Sequence, residues 1–115
     1  MNEKQVTSLL AQLKNRYTDA FPDTSIGATK ATIAAWHNAL RDISVEDAYE
    51  ALDDYISDRK NTKAPTIREF CYYLRLVAGR YEMEANVART KGDTAAVADY
   101  LTKASAARNY HLTHS

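Results

Sequence analysis

Three histidines, one cysteine and a run of carboxylates are the side chains here best equipped for chemistry. His111 and His114 stand three residues apart, a spacing that sets two imidazoles on one side of a helix. No cysteine lies near them and the chain is ending, so no metal site is expected. His37, beside Trp36, is expected at a surface or boundary. Cys71 sits next to an apolar stripe with no paired base in view, so it reads as a small buried hydrophobe and not as a nucleophile. The carboxylates Glu46, Asp47, Glu50, Asp53, Asp54 and Asp58 crowd one short stretch. Paired-acid catalysis needs carboxylates facing each other across a desolvated cleft. Acids along one helix form a solvated face instead, here with Glu46, Glu50, Asp53 and Asp54 outward, a surface suited to a basic partner. Three scattered glycines cannot build a phosphate-binding loop or a dinucleotide fingerprint. HExxH, CxxC and EF-hand spacings are absent. The expectation is a non-enzyme with no catalytic, cofactor-binding or metal-binding residues.

Composition agrees with a globular protein. Of 115 residues, 45% are hydrophobic and 26% charged, which argues against a wholly disordered chain. Net charge is zero but unevenly spread: residues 1–60 hold seven Lys/Arg and ten Asp/Glu, and residues 61–115 hold eight and five. Basic residues stand singly among acids and not as a phosphate-binding patch, so direct nucleic-acid contact is not expected. The single cysteine offers no internal disulfide, and no apolar run resembles a signal peptide or a membrane span. A cytoplasmic location follows as the expectation.

The elements that must position these groups are all helical. Val6, Leu9, Leu10, Leu13 and Tyr17 recur at three- and four-residue spacing over about residues 3–20, stopped by Phe21-Pro22-Asp23. Pro22 to Ala28 reads as a loop. A second helix is expected from near Thr29 to Asp42, with Ile33, Trp36 and Leu40 inward and Trp36 at the centre of the core. Ser44 then caps a third helix whose buried stripe is Val45, Ala48, Leu52, Tyr55 and Ile56, with all six acids outside. In KAPTIREF, Thr66 followed three residues later by Glu69 is a helix-start signature. It opens a fourth helix lined by Phe70, Tyr73, Leu74, Val77 and Tyr81 and reaching about Thr90. Lys91-Gly92-Asp93 reads as a turn, and Asp93 as the cap of a last helix over 94–109. That helix is poor in apolar residues and is expected either to fold back as a hairpin or to form a partly ordered tail. Residues beyond Asn109 are expected to fray. The fold class is therefore all-α: a small bundle of three helices over residues 1–65, followed by a helical region over 66–115.

Binding groups stand out more than reacting ones. Tyr72 and Tyr73 are adjacent and must point to different faces, and Tyr49 also falls off its helix's stripe. Exposed tyrosines suit protein interfaces. With Arg68, Arg75 and Arg80 they give the fourth helix a candidate docking face. Tyr72, Arg75, Arg80, Tyr100 and Arg108 are the residues expected to contact a protein partner.

Several phrases, taken in order, resemble one family. Tyr17 is followed by Phe21-Pro22, Trp36 by Leu40 and Asp42, and an acidic helix carries Ala48, Leu52, Tyr55 and Ile56. A Pro-Thr-Ile-x-Glu phrase, Pro65 to Glu69, closes the series. Over about residues 9–70 the sequence resembles the bacteriophage loader and inhibitor proteins of the replicative DNA helicase. The resemblance implies a helical N-terminal domain and a C-terminal segment that engages the hexameric helicase. It also implies a host-cytoplasmic protein that suppresses the helicase's ATPase and unwinding, helps deliver it to an origin-bound initiator, and has no ATPase of its own. The family's C-terminal part tends to be mobile, whereas residues 82–110 here keep a helical periodicity.

Two other readings share the composition. One is an inhibitor or adaptor of another host or phage protein, such as an assembly chaperone. The other is a helix-turn-helix DNA-binding protein built on helices two and three. The second is disfavoured because Val45 to Ser57 contains several acids and no Lys or Arg to meet a phosphate backbone.

Overall fold

The computed structural model describes residues 1–18 and 30–112, and these form five helices. They are α1 (Glu3–Arg16), α2 (Lys30–Leu40), α3 (Val45–Ser57), α4 (Ile67–Thr90) and α5 (Thr94–Ala107), with no strand among the described residues. The all-α expectation holds. The Pro22–Ala28 loop and the Phe21-Pro22 stop lie outside the described residues. Within them, α1 ends at Arg16, with the Tyr17 amide still donating to the Leu13 carbonyl.

Helix starts follow the local chemistry of the sequence. Asn2 and Gln5 form a reciprocal capping box at α1, and Thr66 and Glu69 form another at α4. Asp93 takes the Ala96 amide at the start of α5. Gly92, at φ 72°, supplies the left-handed turn between α4 and α5 that a side chain would strain. Ser44 caps α3 by accepting from the Asp47 amide, but Asp47 does not answer as a capping-box partner; its carboxylate is used elsewhere.

The core is one cluster drawing on all five helices. Leu13, Leu40, Phe70 and Leu74 are fully shielded, with Leu52 and Val77 nearly so, and Trp36 and Tyr17 are buried beside them. Ile33 and Ile56, expected inside, are half-buried and pack on the cluster's edge. Trp36 meets Phe70 edge-to-face, ring centres 5.5 Å apart, which joins α2 to the first turn of α4. A second aromatic series runs from Tyr17 to Tyr55 to Tyr73 to Tyr72, with successive centres 5.9, 5.2 and 5.4 Å apart, linking α1, α3 and α4.

Beyond the cluster, α5 folds back along α4, so the ordered hairpin is the form adopted. Alanines make this possible: Ala85, Ala88, Ala104 and Ala107 are buried, and small side chains let two helices approach with little apolar bulk between them. The chain does not fray directly after Asn109. The His111 amide donates to the Ala39 carbonyl at 2.8 Å, and Tyr110 and Leu112 pack on the core. The Met1 amino group also closes the end of α2, donating to the carbonyls of Leu40, Arg41 and Ile43. These bonds satisfy acceptors that a helix end leaves open.

Loss of packing and loss of a cap should separate in size. Phe70→Ala should cost about 3–5 kcal/mol and Thr66→Ala about 1 kcal/mol in urea unfolding. Equal costs would mean that the Trp36–Phe70 contact does not organise the core.

Candidate functional site

The acids of α3 fall into two groups. Glu46 and Asp53 are exposed as expected. Glu50 and Asp54 point towards α4, where the Arg80 guanidinium bonds both, at 2.6 and 2.7 Å. Two groups of residues expected on separate docking faces thus spend part of their charge on each other. Asp47, expected outside, is 5% exposed and accepts the Tyr81 hydroxyl at 2.7 Å. The reason is register: α4 lies over this side of α3, and Tyr81 reaches Asp47 from it. Burial and the Asp47 bond both push the Tyr81 phenol up.

Other polar groups are also engaged. Tyr73 donates to Asp58 at 2.7 Å and accepts from Asn61 at 2.8 Å. The Tyr73 bond, with the Lys60 amide and ammonium, holds the Asp58 carboxyl below its usual range. Tyr55 donates to the Lys63 carbonyl at 2.6 Å, and its phenol is pushed up to about 12, chiefly by burial. These bonds fix the 58–65 segment, which with Arg16 and Tyr17 borders a cleft of about 790 Å³. The carboxylate in that cleft, Asp58, is already held, and no second acid or imidazole faces it among the described residues. Cys71 is buried, its thiol pushed up to about 12 by burial, and has no thiolate character at neutral pH. His111 bonds Asp42 at 2.7 Å, while His114 lies outside the described residues. No cluster of three metal-ligating side chains occurs among the described residues. No helix among them is long and apolar enough to cross a membrane.

The expected contact residues are distributed as follows. Tyr72 and Arg75 are exposed on one outward side of α4. Arg80 lies at the α3 edge in its double ion pair. Tyr100 is half-buried on α5 with the Lys103 ammonium 5.5 Å from its ring centre, and Arg108, at the end of α5, pairs with Glu82 of α4. Tyr49 is half-buried and accepts a bond from Gln12 of α1. Of the five, only Tyr72 and Arg75 therefore share an open face without an ion pair among the described residues. Sequence reasoning passes over Leu76, Met83 and Val87, which lie along that face. Their signal is a second apolar spacing on α4, beside the stronger one that faces the core.

Fold and surface thus define a small helical binding protein with its buried carboxylate and its His111 imidazole engaged in structural bonds. A family model for the N-terminal domain of a phage helicase loader/inhibitor protein matches residues 1–71, which comprise α1 to α3 and the first turn of α4. The chain belongs to this phage helicase loader/inhibitor family. Comparison with curated proteins and with solved structures gives no match. The α4–α5 hairpin beyond residue 71 lies outside the matched region.

Two bonds can be tested directly. Tyr81→Phe leaves the Asp47 carboxylate buried without its donor and should cost about 1–3 kcal/mol; adding Asp47→Leu should recover part of it. If Tyr81→Phe is neutral in urea unfolding, the bond does not hold α3 on α4.

The His111 bond, with lesser help from Arg41 and the amino terminus, lowers the Asp42 carboxyl. Its contribution is therefore complete above the ordinary carboxylate value and is lost as pH falls through the lowered one. Leu112 methyl resonances should move towards random-coil positions between about pH 5 and pH 2, and Asp42→Asn should produce that loosening at neutral pH. Unchanged resonances in both cases would rule out the pin.

Proposed function

We propose that this chain is a non-enzymatic regulator that binds a replicative DNA helicase, loading it, inhibiting it, or both, during phage DNA replication. The family match over residues 1–71 carries the reading. Two features support it. Asp58, Asp47 and Cys71 are bonded or buried away from any reactive geometry. The outer side of α4 offers tyrosine and arginine, residue types favoured where proteins dock.

The work would be done by occupancy. A protein that binds one ring conformation more tightly than another shifts the ring's population by the ratio of the two affinities. ATPase, unwinding and loading then change without the regulator reacting with anything. Arg75 is the favoured electrostatic contact because it is exposed and has no ion pair among the described residues. Arg80 would need to leave Glu50 and Asp54 to contribute its full charge.

The experiment is copurification of the tagged chain with the hexameric replicative helicase of its host, with and without nucleotide, sized by light scattering. A defined complex, lower helicase ATPase in it, and weakening by Arg75→Glu of about tenfold or more are expected. Absence of a complex with a verified hexamer at low salt would overturn the reading in favour of another protein partner.

A further inference from the structure

α4 is a two-faced helix. Its inner side covers α3 and α5, while Tyr72, Leu76, Met83 and Val87 are 40–67% exposed on the outer side. At 3.6 residues per turn these four fall within an arc of about 60° and along about 22 Å of helix. Gly79 lies about 20° from the edge of that arc, and nothing stands within 4 Å of where its Cβ would be. A backbone could approach closely at that notch. Four large apolar side chains in a row on one exposed helix face are a patch, unlike scattered surface hydrophobes.

The two edges of the stripe differ in charge. Arg68, Arg75 and Arg89 line one edge, exposed and without a carboxylate partner among the described residues. Along the other edge run Glu69 and Glu84, with Arg80 neutralised by Glu50 and Asp54. We propose that the outer stripe of α4 is a docking surface for an amphipathic helix of a partner protein that carries carboxylates along the edge meeting Arg68, Arg75 and Arg89.

A second copy of the chain fits poorly. Two-fold antiparallel pairing lays the arginine edge on itself, with Arg68 near Arg89 and Arg75 near a Glu82 already held by Arg108. Parallel pairing sets Arg75 beside Arg80 of the other copy, five residues on, as facing helix edges meet in a coiled coil. An acidic-edged helix meets the apolar stripe and the free cations together, which is how such grooves and faces select partner helices.

The surface is inferred from α4 alone and does not depend on which protein the partner is, so the test omits the helicase. Two synthetic helical peptides share one leucine stripe, flanked on one edge by glutamate in the first and by lysine in the second. Binding to the full chain is followed by fluorescence anisotropy, with circular dichroism confirming that each variant is folded. The glutamate peptide should bind about tenfold or more tightly than the lysine peptide. Both Met83→Ser and Arg75→Glu should weaken it by about tenfold. Equal binding of the two peptides, or indifference to Met83→Ser, would overturn the proposal. So would a dimer of the wild-type chain in sedimentation that Leu76→Glu dissolves, since the stripe would then be occupied by a second copy.

Discussion

The contact between Phe70 and Trp36 is the constraint on which the rest of the molecule depends. Phe70 sits one turn into α4, just after the Thr66–Glu69 capping box, so the helix start and its anchorage are nearly the same place. Once that turn is fixed on α2, a 24-residue helix has a set direction. α3 and α5 then find their positions by packing on it. Because α4 outruns the core formed by the first three helices, its far half has only α5 to cover one side. An apolar outer face is the consequence of asking one helix to serve as both core element and projecting arm.

Polar bonds set the register of that arm. Asp47 with Tyr81, Glu50 and Asp54 with Arg80, and Tyr73 with Asp58 and Asn61 tie the α3 region to α4 at successive levels. The exposed ion pairs add little stability by themselves. The buried Asp47 bond is different, because sliding or rotating α4 would leave a carboxylate unsatisfied inside. Apolar packing brings the helices together, and these bonds reject the neighbouring alignments. The same commitments sort the surface charges, leaving Arg68, Arg75 and Arg89 free of ion pairs among the described residues while Arg80 and Arg108 are occupied.

The family match stops where α4 begins its run outward. The matched domain therefore corresponds to the three helices and the anchoring turn that make most of the core, and the hairpin extends from its last helix. In physical terms this is a stable body carrying a surface for occupancy. Such an arrangement places few demands on reactive chemistry and many on the shape and charge of one helix face.

Much of this protein was legible in its residues. Helix identity, the Thr66 and Asp93 caps, the Gly92 turn and the Trp36, Leu40, Phe70 and Leu74 core follow from spacing and from capping chemistry, which act within a few residues. The phrases from Tyr17 to Glu69 carried the family resemblance for the same reason, since they record how the core helices begin, end and pack. What escaped depends on separations of tens of residues. Periodicity places Asp47 on a polar side, and only the approach of α4 makes that side an interior. Arg80 and Arg108 look like free cations until Glu50, Asp54 and Glu82 come within reach. The end of the chain looks frayed until Ala39 and Asp42 hold His111. Local sequence determined the helices and their apolar faces; the tertiary structure decided which charges are spent and which remain to be offered, because only packing brings distant partners together.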